Sequence, residues 1–171
     1  MTTRSVIQRK ANDSLRRARV EEPPVDVMDV ARALGARVIP EIVDEEISGG
    51  LSRRKDGPVI GVNARHHPHR QRFTIAHEIG HLVLHEGSDH FVDRTFHRDS
   101  RSSAATDVIE IEANQFAASL LMPRTFLEAD LKGMYKPVRS EKVEELARRY
   151  GVSQQAMTFR LMNLRVPLDE S

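Results

Sequence analysis

RFTIAHEIGHLVLH, residues 72–85, is the segment around which we expect this chain to fold. Its apolar residues surround a polar trio and predict a buried α-helix. The trio is His77, Glu78 and His81, an H-E-x-x-H pattern in which the two histidines, four residues apart, share one helix face. Both imidazoles can then bind one metal ion, with Glu78 beside it as a general base. Burying these groups would be costly without a bound partner, so the pattern predicts a metal site.

A third metal ligand must come from elsewhere in the chain, because a catalytic zinc needs three protein ligands and an open position. The chain has no cysteine, which leaves histidine or a carboxylate. The helix pattern DVIEIEANQFAASLL, residues 107–121, offers Glu110 and Glu112. Glu110 shares a face with Asn114 and small residues, whereas Glu112 points about 160° away on an ideal helix. Helix geometry favours Glu110, although Asp107-x-x-Glu110 also fits a variant of the capping box.

Other histidines near the motif are weaker ligand candidates. His85 follows His81 by four residues, but about 12 Å of helix would separate it from His77, too far for one ion. We expect His85 to support the site or to be a polar residue near the helix end. The cluster HHPH, residues 66–69, is expected to be a polar lead-in to the helix.

Length and composition bound the class of protein. With 171 residues, the chain predicts one domain, or one domain with a small appendage. A net charge of +1 argues against a strong overall electrostatic attraction of the chain to nucleic acid or membranes. No apolar run could cross a bilayer, and residues 1–13 lack the apolar core of a signal peptide. We therefore expect a cytoplasmic protein that does not contact membranes.

The segments around the motif predict a small sheet and a polar loop. Short strands are predicted at residues 36–43, 51–54 and 59–62, which would form an antiparallel sheet just before the metal helix. An exposed edge of that sheet could accept an extended peptide, unless a loop covers it. Residues 86–105 are polar and predict a loop.

The two ends of the chain predict helices with different charge. Residues 5–20 are rich in arginine, which indicates a solvated face or a contact for an acidic partner. Residues 140–150 and 153–164 predict two helices joined by a Gly-Val-Ser turn, the outline of a helix-turn-helix. The second of these helices offers only Arg160 and Arg165 as cations. Packing against the core or binding a protein is therefore favoured over reading DNA.

The two long motifs resemble the ImmA/IrrE family of zinc metallopeptidases. The matching segments are RFTIAHEIGHLVLH and EIEANQFAASLLMP, residues 110–123, and LARRYGVSQQAMTFRL, residues 146–161, is similar to the region after the family's core. The resemblance implies an α+β fold: a zincin-like metallopeptidase core with a small antiparallel sheet packed on the H-E-x-x-H helix. This core would occupy residues 1–136, and a helix-turn-helix-like extension would occupy residues 137–171.

The resemblance also implies a Zn²⁺ site and an activity. His77, His81 and Glu110 would bind Zn²⁺, with Glu78 as the catalytic base. Family members include proteases that cut a helix-turn-helix repressor, which implies a protein substrate such as an XRE-type repressor or an antitoxin. Such cleavage would regulate mobile-element, toxin–antitoxin or stress-response genes. The alternative is a non-proteolytic, antitoxin-like binding protein with a structural zinc, but three ligands and an intact Glu78 favour an open catalytic position.

Two supporting roles follow from the same reading of the chain. Asn114, on the same face as Glu110, is expected to help hold the site. A donor to the oxyanion is also expected. It is not assigned, and the candidates are Tyr135, Tyr150, His90 and His97.

Overall fold

The computed structural model describes residues 2–86, 90–94, 104–132 and 136–169, which form an α+β fold. The elements in chain order are α1 (Arg4–Arg17), α2 (Val27–Ala33), β1 (Arg37–Glu41), β2 (Ile47–Arg54), β3 (Gly57–Asn63), α3 (Pro68–Leu84), β4 (His90–Arg94), α4 (Ala104–Leu121), α5 (Arg124–Asp130), α6 (Ser140–Tyr150) and α7 (Gln154–Asn163). Within these residues, no helix combines the length and the apolar character that a bilayer crossing demands.

The sheet has the strand order β1-β3-β2-β4 and is mixed. As predicted, β2 and β3 form an antiparallel hairpin, with Leu51 opposite Ile60. The prediction of a wholly antiparallel sheet is wrong, because β1 pairs parallel to β3. The hairpin covers one edge of β2 and β4 covers the other. Only the outer edge of β3 is left for β1, which reaches it through the connection at residues 42–46.

Strand β4 lies inside the stretch that the sequence predicts as a loop, residues 86–105. That prediction is wrong for residues 90–94, which pair antiparallel with β2, and for residues 104 and 105, which begin α4. Residues 87–89 and 95–103 lie outside the described part of the chain. Since β4 covers the free edge of β2, the outer edges of β1 and β4 are the places among the described strands where an added peptide strand could pair.

Helix α3 lies at the centre of the fold, as the motif predicts. His67 caps its first turn by accepting from the His69 amide, and Pro68 follows at the first helical position. All residues from Thr74 to His81 are buried. An added Cβ on Gly80 would lie 3.1 Å from the Ala113 Cα, so α3 and α4 pack almost backbone to backbone. This close approach brings the side chains of the two helices to one place.

The C-terminal helices pack against α3 and α4. Gly151, with φ of +63°, ends α6 in the left-handed conformation that favours glycine, and Ser153 caps α7. Arg72 of α3 donates to the carbonyls of Gly151 and Tyr150 at 3.0 and 3.2 Å. Arg160 of α7 donates to the Met122 carbonyl at 2.9 Å. These contacts agree with the predicted packing of the tail, whereas the helix-turn-helix geometry stays a prediction.

Candidate metal centre

Three side chains from α3 and α4 converge on one point. The Nε2 atoms of His77 and His81 lie 3.0 Å apart. Glu110 of α4 brings Oε2 to 3.1 Å from His77 Nε2 and Oε1 to 3.3 Å from His81 Nε2. Among the described residues, this is the one group of three or more histidine or acidic side chains arranged to hold a metal ion.

The spacing of these atoms fits a tetrahedral ion. Ligand atoms bound at about 2.0–2.1 Å in tetrahedral geometry lie about 3.3 Å from one another. The observed separations run from 3.0 to 3.3 Å. The imidazoles are buried, whereas the Glu110 side chain is 37% exposed, which leaves the ligand atoms approachable from its side. Two imidazole nitrogens and one carboxylate form a donor set that suits a divalent metal ion.

The hydrogen bond between His77 and Asn114 determines which ring nitrogen can offer a lone pair to a metal. Its Nδ1 lies 2.9 Å from Asn114 Oδ1, an amide oxygen that can only accept. The His77 Nδ1–H therefore donates, and in the neutral ring Nε2 keeps its lone pair. Asn114 lies one helical turn after Glu110, so a single helix face supplies both a candidate metal-binding carboxylate and the acceptor that orients the opposite histidine.

The second histidine is oriented by a longer chain of hydrogen bonds, which we name the Glu112 relay: Glu112, His85 and His81. His85 Nε2 lies 3.1 Å from Glu112 Oε2, so this Nε2–H donates to the carboxylate. His85 Nδ1 can then accept from His81 Nδ1–H, at 3.0 Å. When the rings are neutral, the lone pair of His81 Nε2 therefore faces Glu110. The lone pair of His77 Nε2 faces the same carboxylate.

The backbone of Thr2 adds a further hydrogen bond to the Glu112 relay. The backbone N–H of Thr2 donates to Glu112 Oε1, and the Glu112 side chain is 6% exposed. These contacts hold Glu112 away from the point where the ligand atoms meet. From the sequence alone, Glu112 remained an alternative to Glu110 as the third ligand. The sequence did not predict its contact with His85. The sequence did contain a signal for this contact. Glu112 lies two positions after the ligand candidate Glu110, and His85 lies four positions after His81.

The electrostatics of the cluster favour a bound cation. Burial would raise the pKa of Glu110, but His77 and His81, whose Nε2 atoms donate to the carboxylate whenever they carry a proton, outweigh it and lower this pKa to about 2. Burial lowers the pKa of His81 below 6.5, against the opposing effect of Glu110. At neutral pH the carboxylate is therefore charged while His81 resists protonation. In the tautomers that direct both Nε2 lone pairs toward the Glu110 carboxylate, a positive ion between the three groups would remove their mutual repulsion.

Glu78, the predicted base, follows His77 directly and is completely buried. It follows His77 in sequence and precedes His81 by three residues, so its side chain neighbours His81 on the helix surface. Every residue of α3 within one turn of it is also buried, so bulk water is excluded around this carboxylate. A buried carboxylate beside a metal cluster is a suitable proton acceptor.

The other histidines and tyrosines near the site have separate contacts. His66 Nε2 lies 3.0 Å from the Glu45 carbonyl, and His67 caps α3, as expected of a polar lead-in. The Tyr150 hydroxyl, an oxyanion candidate, donates to Asp130 Oδ2 at 2.8 Å. The remaining candidates are Tyr135 and His97, which lie outside the described residues, and His90, whose side chain does too. The oxyanion donor therefore stays unassigned.

Comparison with known proteins identifies the family. The sequence model of the Peptidase M78 family, described as the IrrE N-terminal-like domain, matches residues 31–162. The chain belongs to this family. The matched residues include all three ligand candidates, Glu78 and both C-terminal helices, so the resemblance to ImmA/IrrE proteins is confirmed.

Two relatives of this IrrE-like chain carry the name radiation response metalloprotease IrrE. The protein of Deinococcus deserti is 37% identical over 109 residues, which cover 64% of this chain and 37% of the relative. The protein of Deinococcus radiodurans is 36% identical over 103 residues, covering 60% and 30%. The chain thus spans about a third of the length of these metalloproteases. Their names and the histidine and glutamate cluster point to a divalent metal.

A phage protein and a solved structure extend the comparison. Uncharacterized immunity region protein 2 of Bacillus phage phi105 is 30% identical over 95 residues, covering 56% of this chain and 57% of that protein. A solved structure, a Mycobacterium tuberculosis transcriptional regulator, matches with a TM-score of 0.63 and 18% identity. The match covers 91% of this chain and 46% of that one. At this identity, the structure shows that the fold is shared.

Proposed function

We propose that this IrrE-like chain is a zinc-dependent endopeptidase. The observation that carries the proposal is the convergence of His77 Nε2, His81 Nε2 and a Glu110 carboxylate within 3.3 Å of one another. Zn²⁺ is the metal that this donor set fits best, and it would be held by these three residues. When bound, zinc supplies a Lewis acid that polarises the scissile carbonyl and acidifies water.

The chain's own residues perform the proton transfers. Glu78 accepts a proton from the water whose oxygen attacks the scissile carbonyl carbon. It then gives this proton to the departing amine nitrogen as the C–N bond breaks, so that the carboxylate is regenerated. Asn114 and the Glu112 relay keep the two imidazoles in the tautomers whose Nε2 lone pairs would bind the metal.

The proposed substrate is a specific protein, such as an XRE-type helix-turn-helix repressor or an antitoxin. Two relatives are named as metalloproteases of a radiation response, and one as a phage immunity region protein. Both kinds of name agree with proteolysis that changes gene expression. We further propose that residues 1–136 form the catalytic core and that residues 137–171, including α6 and α7, form a protein-binding extension that does not read DNA.

The test compares the wild-type protein with Glu78→Gln, both loaded with zinc, on a peptide library prepared from a bacterial proteome. New amino termini are identified by mass spectrometry. We expect the wild type to produce them and the variant to produce none, with equal zinc content and equal thermal stability. The matched control is Glu21→Gln, at an exposed glutamate between α1 and α2. Cleavage by Glu78→Gln at the wild-type rate, or no cleavage by the zinc-loaded wild type, would refute the proposal.

A further inference from the structure

An apolar groove lies along α3, α4 and α7, and Asn114 is the residue of its lining that contacts a metal-ligand candidate. The groove encloses about 720 Å³ and begins at Asn114, whose side chain accepts from His77. Phe73, Met122 and Phe159 form much of its wall. Phe159 remains 56% exposed, although it is a large aromatic residue. A groove of this size and character fits a large apolar side chain.

Helix periodicity places this groove next to the point of catalysis. Phe73 precedes His77 by four residues on α3, and Asn114 and Ala118 follow Glu110 by four and eight residues on α4. Residues four apart share a helix face and are separated by about 6 Å along the axis. The groove is therefore the continuation of the surface that carries the metal ligands. An extended peptide advances about 3.3 Å per residue, so a side chain in the groove lies within a few residues of the scissile bond.

A second groove, rich in arginine, lies between α1, α4 and α7. It encloses about 700 Å³. Five arginines line it, against a single acidic residue, Asp13: Arg4, Arg9, Arg16, Arg124 and Arg160. Arg16 pairs with Asp13, and Arg124 pairs with Glu128. Arg4 and Arg9 have no ion-pair partner within the described ranges. This groove thus offers positive charge to a ligand, although the chain as a whole has a net charge of only +1.

The two grooves meet at Arg160, which lines both together with Ala118 and Asn163. Its Nε–H donates to the Met122 carbonyl, and its guanidinium lies 3.5 Å from Gln8 Oε1. Burial and the nearby Arg124 lower the pKa of Arg160 to about 10, so it remains charged at neutral pH. A fixed cation therefore marks the junction between the apolar groove and the arginine-rich groove.

We propose that the two grooves form one substrate channel, which binds a peptide segment with a large apolar residue near the scissile bond and acidic residues farther away. The inference rests on the proposed endopeptidase function and names the chemistry of its substrate. Charge complementarity selects acidic residues for the arginine-rich groove. The apolar wall of Phe73, Met122 and Phe159 favours a polypeptide, which can supply a large apolar side chain, over nucleic acid, whose backbone presents phosphates.

The test measures binding separately from cleavage. Zinc-loaded Glu78→Gln is titrated into fluorescein-labelled peptides, and fluorescence anisotropy reports the dissociation constant. The probe peptide holds one phenylalanine and a block of glutamates joined by a glycine spacer, and it is made in both orders. Comparison peptides replace phenylalanine with alanine or the glutamates with glutamines. We expect each replacement to weaken binding at least about fivefold, and added salt to weaken only the glutamate peptides.

Two matched pairs of variants locate the binding surface. Arg9→Glu changes a groove residue, whereas Arg17→Glu makes the same change at an exposed position of α1 that lines neither groove. Phe159→Ala and Met162→Ala form the second pair, since both residues are 56% exposed and only Phe159 lines the groove. We expect Arg9→Glu and Phe159→Ala to weaken binding about fivefold to tenfold, with the two control variants unchanged.

The outcomes separate this inference from the proposed function. If the peptides bind as expected while the wild type cuts nothing, the channel stands and the endopeptidase assignment fails. If the wild type cuts peptides while Arg9→Glu equals Arg17→Glu and Phe159→Ala equals Met162→Ala in KM, the channel is refuted. Duplex DNA that competes with the probe, and loses its binding in Arg9→Glu alone, would also refute the channel in favour of a nucleic-acid surface.

Discussion

His85 donates its Nε2–H to Glu112 across 3.1 Å, and through this bond a residue outside the ligand set determines how His81 presents itself to a metal. A neutral imidazole can place its proton on either nitrogen. Glu112 accepts from one nitrogen of His85, which makes the other an acceptor for His81 Nδ1–H. The carboxylate thereby selects the tautomer of a ring that it does not touch.

We expect Glu112→Gln to lower the zinc affinity about tenfold to a hundredfold, the usual effect of removing a partner that orients a metal-bound histidine. An amide can donate to His85 as well as accept from it, so the variant no longer imposes one tautomer. The measurement is the zinc dissociation constant from competition with a chromophoric chelator. Glu128→Gln is the matched control on α5. Equal zinc affinity in the two variants would show that Glu112 does not orient His81.

Zinc affinity should fall as the pH drops, because protons compete for the imidazole lone pairs. Burial lowers the pKa of His81 below 6.5, so protonation of His81 and the resulting loss of affinity begin at lower pH than for an exposed histidine. The pKa of Glu110 is about 2, so above about pH 4 its carboxylate takes up no proton. Above about pH 4, the logarithm of the dissociation constant should therefore rise as the pH falls by no more than two units per pH unit, one for each imidazole. A slope of three there would contradict the assigned protonation of Glu110.

Gly80→Ala tests the close packing of α3 on α4. The new Cβ would lie 3.1 Å from the Ala113 Cα and carbonyl oxygen, and these backbone atoms cannot rotate away. We expect the free energy of unfolding of the metal-free protein to fall by about 1–3 kcal/mol, as for other overpacked cores. Zinc affinity should fall as well, since Glu110 moves with α4 away from the histidines of α3. Unchanged urea unfolding would show that the helices can separate without cost.

Arg72→Gln tests the connection between α3 and the C-terminal helices. The variant removes two hydrogen bonds, to the carbonyls of Gly151 and Tyr150, that end α6. We expect a loss of about 1–3 kcal/mol in the free energy of unfolding, because bonds from a charged donor are stronger than neutral ones. Arg65→Gln, at an exposed arginine, is the control. Equal stability of the two variants would mean that other contacts hold the C-terminal helices in place.

Local patterns predicted α1, α3, α4, α6 and α7, since helix periodicity and the glycine before α7 act within a few residues, whereas the family resemblance implied the α+β class. Strand pairing depends on distant partners, which is why the parallel β1 and the β4 pairing did not follow from the sequence. The histidine and glutamate cluster was foreseeable from residue spacing. The contact of Glu112 with His85 was not foreseeable, because the helix-face argument considered one neighbouring helix of α4 and not two. In the structure α4 packs against both α1 and α3, and Glu112 reaches His85 at the end of α3.

The hydrogen bond from Thr2 to Glu112 has a practical consequence for preparing the protein. An affinity tag joined ahead of Thr2 would emerge beside the metal centre. A polyhistidine tag there would bring additional imidazoles within reach of the same ion and would inflate both the metal stoichiometry and the apparent affinity. A tag at the other end of the chain, or one removed by cleavage, gives the measurements on Glu112→Gln their intended meaning.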